Sequence, residues 1–250
     1  MPHSQQASPP QRDRINSPYH TIYTAGNMFK HDELAMNVFL KDAVWRKSKG
    51  KYLLVLPQSE QPDDYAHPDV TVQIRNYDLL HVMRTDILLA RFDGLELDAG
   101  TVAEYMMAKF LGKPAVILRS DSRRLENNSF DEPYNLMVKN YPRTVTIHID
   151  SLSAYVDALK LIIGTKASGE SVDAFISGEL GIIAKEIDSL ANQVIDGFDK
   201  VLEMPSPYPI EYQETVYGAA RFLPGCGFDD YVSEADVEAI LKSLRDKGSL

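Results

Sequence analysis

Lys51-Tyr52-Leu53-Leu54-Val55-Leu56, closed by Pro57, is an unbroken apolar run. A strand with one wet face alternates apolar and polar residues. A strand without alternation suits burial on both faces, as in a parallel sheet covered by helices. Comparable runs stand at His20-Thr21-Ile22-Tyr23-Thr24, Asp86-Ile87-Leu88-Leu89-Ala90-Arg91-Phe92, Ala115-Val116-Ile117-Leu118 and Val145-Thr146-Ile147-His148-Ile149. Helical spacing fills the gaps between them. Asp32 is placed to cap a helix carrying Leu34, Val38 and Trp45, which Lys49-Gly50 ends. Further helices are predicted over Val72–Arg84, from Gly100-Thr101 to Leu111, and over Leu152–Ile163. Strands alternating with helices imply right-handed crossovers. The expected class is α/β: a doubly wound, mainly parallel five-stranded sheet flanked by helices, with a C-terminal helical extension. Ligands of such sheets sit beyond the carboxyl ends of the strands. The loops to watch are Ala25–Lys30, Pro57–Gln61, Asp93–Thr101 and Arg119–Met137.

The two ends of the chain have a different texture. Residues 1–18 are rich in Pro, Ser and Gln and read as a disordered tail. Residues 19–168 form the α/β domain. Residues 169–250 are expected to be a helical extension packing on the sheet or on another subunit. Val172, Ile176, Leu180, Ile183, Ile187, Leu190, Val194, Phe198 and Val201 recur there at helical spacing until Pro205, Pro207 and Pro209 intervene. A last helix is expected over Glu234–Leu244.

Hydrophobic residues make up 44% of the 250-residue chain, enough for a sizeable core. The formal charge of −10 argues against a nucleic-acid backbone or an anionic membrane as partner, because both need basic surface. The single cysteine, Cys226, forms no internal disulfide, and the histidines lack metal-ligand spacing. No apolar run reaches the roughly 18–20 residues of a membrane span, and the first residues lack a secretory apolar segment. An intracellular, cytoplasmic protein is expected. Phosphate cradles of the GxxxxGK[ST] and GxGxxG types are absent, as is a GxSxG elbow.

What remains is a concentration of carboxylates. Asp86, Asp93, Glu96, Asp98 and Glu104 put five acids within nineteen positions, at strand ends and at the start of a helix. Such groups can face one cleft, where one attacks a carbon electrophile and another orients the substrate. Each also has a plainer reading. Thr101-x-x-Glu104 is a capping box in which the glutamate only satisfies backbone N–H. Asp86 and Asp93 suit strand entry and a turn.

Three separated stretches, in order, carry a resemblance. Thr21-Ile22-Tyr23-Thr24-Ala25-Gly26-Asn27-Met28-Phe29, then Asp98-Ala-Gly-Thr-Val-Ala-Glu104 with Gly112-Lys113-Pro114, then Pro133-Tyr134-Asn135-Leu136-Met137 resemble elements of the nucleoside 2-deoxyribosyltransferase family. The resemblance spans about residues 20 to 163. It implies that Glu104 is a nucleophile attacking C1′ of deoxyribose, with Tyr23 against its carboxylate. It further implies that Asp98 and Asn135 hold the 5′-hydroxyl end of the sugar, Asn135 and Met137 coming from a neighbouring subunit of a homo-oligomer. Asp86 and Gln58 are expected at the nucleobase edge, Asp86 passing a proton to the leaving base, and Phe29 against the base. Tyr105 stands where family members commonly have glycine.

The function so implied is transfer of 2-deoxyribose between nucleobases by double displacement, without a cofactor. Its small-molecule partners are a deoxynucleoside and a free base. The alternative is an N-glycoside hydrolase of the same fold acting on nucleosides or deoxynucleoside monophosphates. Arg119, Ser120, Ser122, Arg123 and Arg124 would then offer a phosphate site, unless they form a solvated loop. A second alternative is a non-catalytic nucleoside-binding module.

Overall fold

The computed structural model describes residues 17–60, 68–121, 135–165 and 172–250. Five strands form one sheet: β1 (His20–Ala25), β2 (Tyr52–Val55), β3 (Ile87–Arg91), β4 (Ala115–Arg119) and β5 (Thr144–His148). Their order is β2-β1-β3-β4-β5, and every pairing is parallel rather than only most of them. That order reverses direction between β1 and β3, so a crevice opens at the carboxyl ends of these two strands. Gly26, leaving β1, lies against β3 so closely that an added Cβ would stand 3.0 Å from the Arg91 Cβ.

The connecting helices are α1 (His31–Lys47), α2 (Val70–Arg84), α3 (Ala99–Phe110) and α4 (Ser151–Thr165), followed by α5 (Val172–Glu203), α6 (Ile210–Ala220), α7 (Phe228–Tyr231) and α8 (Glu234–Asp246). The period-two alternation of the strands sorts them onto two faces. Ile22, Leu54, Ile87, Leu89, Val116 and Leu118 pack with Leu40, Ala43 and Val44 of α1 and with Leu190, Val194, Phe198 and Val201 of α5. Tyr23, Ala25, Leu88, Ala90 and Ile117 pack with α2 and α3, and with Tyr217, Phe228, Ile240, Leu241 and Leu244 of the later helices. Residues beyond 171 therefore supply part of both layers. At Gly197 an added Cβ would meet Ile147 Cδ1 at 3.0 Å and Val116 Cγ2 at 3.2 Å, which is why α5 has no side chain there. Only the later part of the α5 stripe is buried; Ile176, Leu180 and Ile183 are exposed.

Two sequence expectations about α1 need correction. Its buried side chains are Asn37, Leu40, Ala43 and Val44, whereas Val38 and Trp45 are exposed. Its start is capped by Glu33, whose carboxylate accepts from the N–H groups of Phe29 and Lys30, and Asp32 takes no part in that cap. Among the described residues, no helix is long and apolar enough to cross a membrane.

Candidate active site

Tyr23 lies mid-strand on β1, 1% exposed, with its side chain on the α2/α3 face. Its hydroxyl donates to Glu104 Oε1 at 2.6 Å. Glu104 sits in the second turn of α3, because the helix begins at Ala99 with Asp98 as its N-cap. Asp98 Oδ2 accepts from the Thr101 N–H at 2.7 Å and the Thr101 hydroxyl at 2.8 Å. The capping role read for Glu104 thus belongs to Asp98. A capping carboxylate serves only the first turn; one turn further, Glu104 turns to a side chain across the core.

Burial pushes the Glu104 carboxyl up to about 8; the Tyr23 hydrogen bond pulls it down, and the fields of Asp78 and Asp98 push it up again. Asp78, on α2, hydrogen-bonds the same Tyr23 hydroxyl, and burial pushes it up to about 6 against that bond. Burial and the two carboxylates hold the Tyr23 phenol well above its ordinary range. His81, one turn from Asp78, stacks on the Tyr23 ring with centroids 6.4 Å apart and planes at 12°. Two carboxyls on one phenol is a costly arrangement unless a proton is shared among them, and such pairs concentrate at functional sites.

Beyond the carboxyl ends of β1 and β3 lies a polar cleft of about 340 Å³, lined in part by Asn27, Lys30, Arg91, Asp93, Ser120 and Asp121. Asp93 Oδ1 accepts from the Ser120 N–H at 2.6 Å. Arg91 donates to Asn37 Oδ1 at 2.5 Å, and Asn37 donates to Gln58 Oε1 at 2.8 Å.

Residues 22–137 match the family model described as nucleoside 2-deoxyribosyltransferase. Over these residues the chain is similar to that family. Solved structures similar to it include a 2-deoxyribosyltransferase of the psychrotolerant bacterium Bacillus psychrosaccharolyticus, 20% identical, covering 50% of this chain and 85% of that one with a TM-score of 0.40. A 2-desoxiribosyltransferase of Leishmania mexicana is 24% identical over 59% of this chain and 99% of that one, TM-score 0.41. A CMP N-glycosidase of Clostridium botulinum is 15% identical over 56% of this chain and 98% of that one, TM-score 0.36. Among curated proteins no match is found.

Set against the roles that the resemblance to the deoxyribosyltransferase family implied, the structure brings Tyr23 and Glu104 into contact and puts Asp98 at the head of the same helix. It moves Asp86 out of the site. Asp86 precedes β3, at the amino edge of the sheet, and is fully buried. Its carboxylate accepts from the Thr21 N–H at 2.7 Å, the Thr21 hydroxyl at 2.9 Å, the Ser249 hydroxyl at 3.0 Å and Lys247 Nζ at 3.2 Å. Enclosed there, it cannot pass a proton to a base at the other edge; it anchors the chain end instead. Asp93, which follows the same strand, is the carboxylate at the ligand edge. The rule that ligands collect at carboxyl ends would have pointed to it.

Gln58 is held on α1 by Asn37 and by its own bond to the Leu34 carbonyl at 3.1 Å. Phe29 is 79% exposed on the loop after β1. Asn135 Oδ1 accepts from the Met137 N–H at 2.9 Å in a short helical turn, Leu136–Val138, whose Met137 side chain is exposed. Tyr105 is fully buried and meets Phe92 edge-on at 5.5 Å, filling core behind the site. Lys113, from the Gly112-Lys113-Pro114 element, is buried and donates to the Thr85 carbonyl, a structural tie.

Of the basic and hydroxyl cluster weighed for phosphate, Arg119 is neither solvated nor open to an anion. It is buried and donates to the carbonyls of Phe92 at 2.7 Å and Gly94 at 3.0 Å. Ser120 is bound to Asp93, while Ser122, Arg123 and Arg124 lie outside the described residues. Asp78 carried no signal in the sequence: it is one acid on a helix, and only packing brings it to Tyr23.

Proposed function

We propose that this protein transfers 2-deoxyribose between nucleobases by double displacement through Glu104. The observation that carries the reading is the 2.6 Å contact between Tyr23 and Glu104, an oriented, half-buried carboxyl deep in the fold. As the base leaves, oxocarbenium character builds at C1′, and a carboxylate beside that carbon stabilises it before bonding to it. The Tyr23 hydroxyl fixes which oxygen faces the sugar, since it occupies Oε1. Asp98, with Oδ2 committed to Thr101, offers Oδ1 to the 5′-hydroxyl.

At the base edge the acid is Asp93, with Gln58 on the base and Phe29 folded over it. A positioned acid speeds base departure about 10²–10⁴-fold. Asn135 and Met137 serve the site of a neighbouring copy, consistent with their exposure here. A second base then attacks the glutamyl ester from the opposite face, so two inversions retain configuration. The mechanism uses no metal or organic cofactor, and the protein acts in the cytoplasm as a homo-oligomer.

Chromatography of a 2′-deoxynucleoside incubated with the protein, with and without a different free base, tests this. Transfer gives a new deoxynucleoside only when the acceptor is present. Equal release of free base in both arms would replace the transferase by a hydrolase. Binding without turnover of any nucleoside or deoxynucleoside monophosphate would leave a binding module.

A further inference from the structure

Asn37 lies on the apolar face of α1, 4% exposed, alongside Leu40, Ala43 and Val44. A buried amide costs free energy unless its groups are paired. The Asn37 Oδ1 accepts from Arg91 at 2.5 Å. Its Nδ2 donates to Gln58 Oε1 at 2.8 Å and to the Asn27 carbonyl at 3.4 Å. A guanidinium only donates, and a backbone carbonyl only accepts. These two partners leave the Asn37 amide a single sense, with oxygen toward Arg91 and nitrogen toward Asn27 and Gln58.

The same logic passes to Gln58, which stands in the short helical turn Pro57–Ser59 after β2. Its Oε1 accepts from Asn37, while its Nε2 donates to the Leu34 carbonyl at 3.1 Å. Turning this amide over would set nitrogen against nitrogen and oxygen against oxygen. The head of the chain of bonds is also fixed. Arg91 closes β3, and its other terminal nitrogen lies 3.4 Å from Asp93 Oδ2. Its stem runs along Gly26, where an added Cβ would stand 3.0 Å from the Arg91 Cβ and 3.5 Å from its Cδ.

We propose that Asn37, oriented by Arg91, sets which nucleobases the site accepts by fixing the sense of the Gln58 amide. Two partners use one Oε1 lone pair and one Nε2 hydrogen, so one of each remains for a ligand. A glutamine free to turn over serves an exocyclic amino group as well as an exocyclic oxygen. Adenine and cytosine present the donor there, hypoxanthine and thymine the acceptor. Held in one sense, Gln58 favours one class and leaves an unpaired polar group against the other. Asn37 acts through Gln58 and is a positioning residue. The inference rests on the proposed transferase reaction and on the reading of Gln58 at the nucleobase edge.

A purely structural role predicts something different. If these bonds only tied α1 to the ends of β2 and β3, breaking them would lower turnover of every base alike.

The test is kcat/KM for transfer from 2′-deoxyadenosine, 2′-deoxyinosine, 2′-deoxycytidine and thymidine to one common acceptor base. The quantity read is the amino-to-oxo ratio within purines and within pyrimidines, in which the folded fraction of each variant cancels. Gln58→Ala supplies the ratio without base recognition by this amide. Wild type should differ from it by about tenfold in at least one ratio. Asn37→Asp keeps the shape and the Arg91 contact but loses the donor to Gln58, so the amide turns over. Its ratio should fall to the Gln58→Ala value or pass beyond it. Asn37→Leu, in which the Leu34 carbonyl still holds Nε2, should move part of the way.

Equal ratios in wild type and Gln58→Ala would overturn the proposal, because Gln58 would not sense the base. A wild-type ratio kept in Asn37→Asp, with kcat/KM lowered equally for all four donors, would also overturn it. Should Asn37→Asp fail to fold by circular dichroism, Asn37→Leu carries the same prediction, and an unmoved ratio there is equally fatal. A wild type that transfers deoxyribose from none of the four refutes the proposed function. Transfer with unmoved ratios refutes the positioning role alone.

Discussion

The hydroxyl of Tyr23, in the middle of β1, stands 2.6 Å from Oε1 of Glu104, in the second turn of α3. This contact holds a strand and a helix far apart in the sequence in one register, and it fixes one carboxyl oxygen of the pair. A carboxyl pushed up to about 8 by burial is poorly suited to stabilising a fold. Carboxyls raised in this way concentrate at functional sites.

Replacing Glu104 by Gln keeps the shape and removes the nucleophile. Transfer should fall by about 10³-fold or more, with the circular-dichroism spectrum unchanged. Steady-state turnover of a 2′-deoxynucleoside with an acceptor base checks this; a variant within tenfold of wild type would show that another group bonds to C1′.

The same substitution should stabilise the protein in alkali. Glu104 titrates at about 8 when folded and near 4.5 when unfolded, so the folded state holds the extra proton between these values. Stability then falls as pH rises through that window. The glutamine amide does not ionise. Thermal melts at acid and alkaline pH should therefore show little difference between the proteins below the window and a higher Tm for Glu104→Gln above it. Parallel wild-type and variant curves would count against a raised Glu104 pKa.

Asp86 and Asp93 should separate cleanly. Asp86→Ala strips a fully buried carboxylate from Thr21, Ser249 and Lys247, leaving donors and a cation unpaired. The expected cost is about 3–5 kcal/mol in denaturant unfolding, while kcat/KM of the protein that remains folded is little changed. Asp93→Asn should do the reverse, lowering kcat/KM by about 10²-fold with an unfolding midpoint near wild type. Both variants losing activity at full stability would return Asp86 to the site.

Gly197→Leu should destabilise by about 1–3 kcal/mol, because its side chain would enter space held by Ile147 and Val116. Denaturant unfolding reads the loss. An unchanged midpoint would mean that α5 is not seated on the sheet as described.

The strands were legible because their apolar runs are unbroken, and a parallel sheet needs residues of that kind on both faces. Tyr23 and Glu104 were legible through local motifs. Neither the cap of α3 nor the edge on which Asp86 lies was equally plain. Thr101-x-x-Glu104 fits a capping box until the helix is seen to start at Ala99. Asp86 and Asp93 flank the same strand, and only its direction in the sheet tells them apart. The buried face of α1 was misjudged because Asn37, a polar residue, lies on it beside Gln58 and Arg91. Asp78 was invisible, since nothing near it in the chain marks its contact with Tyr23.

The central claim is a covalent bond between deoxyribose and Glu104. The most direct measurement is mass spectrometry of the protein digested after rapid quench from a 2′-deoxynucleoside without acceptor base. A 2-deoxyribosyl adduct on the peptide holding Glu104, absent from Glu104→Gln and lost on adding a free base, is the predicted result. Rapid turnover with that peptide unmodified at every quench time would contradict it.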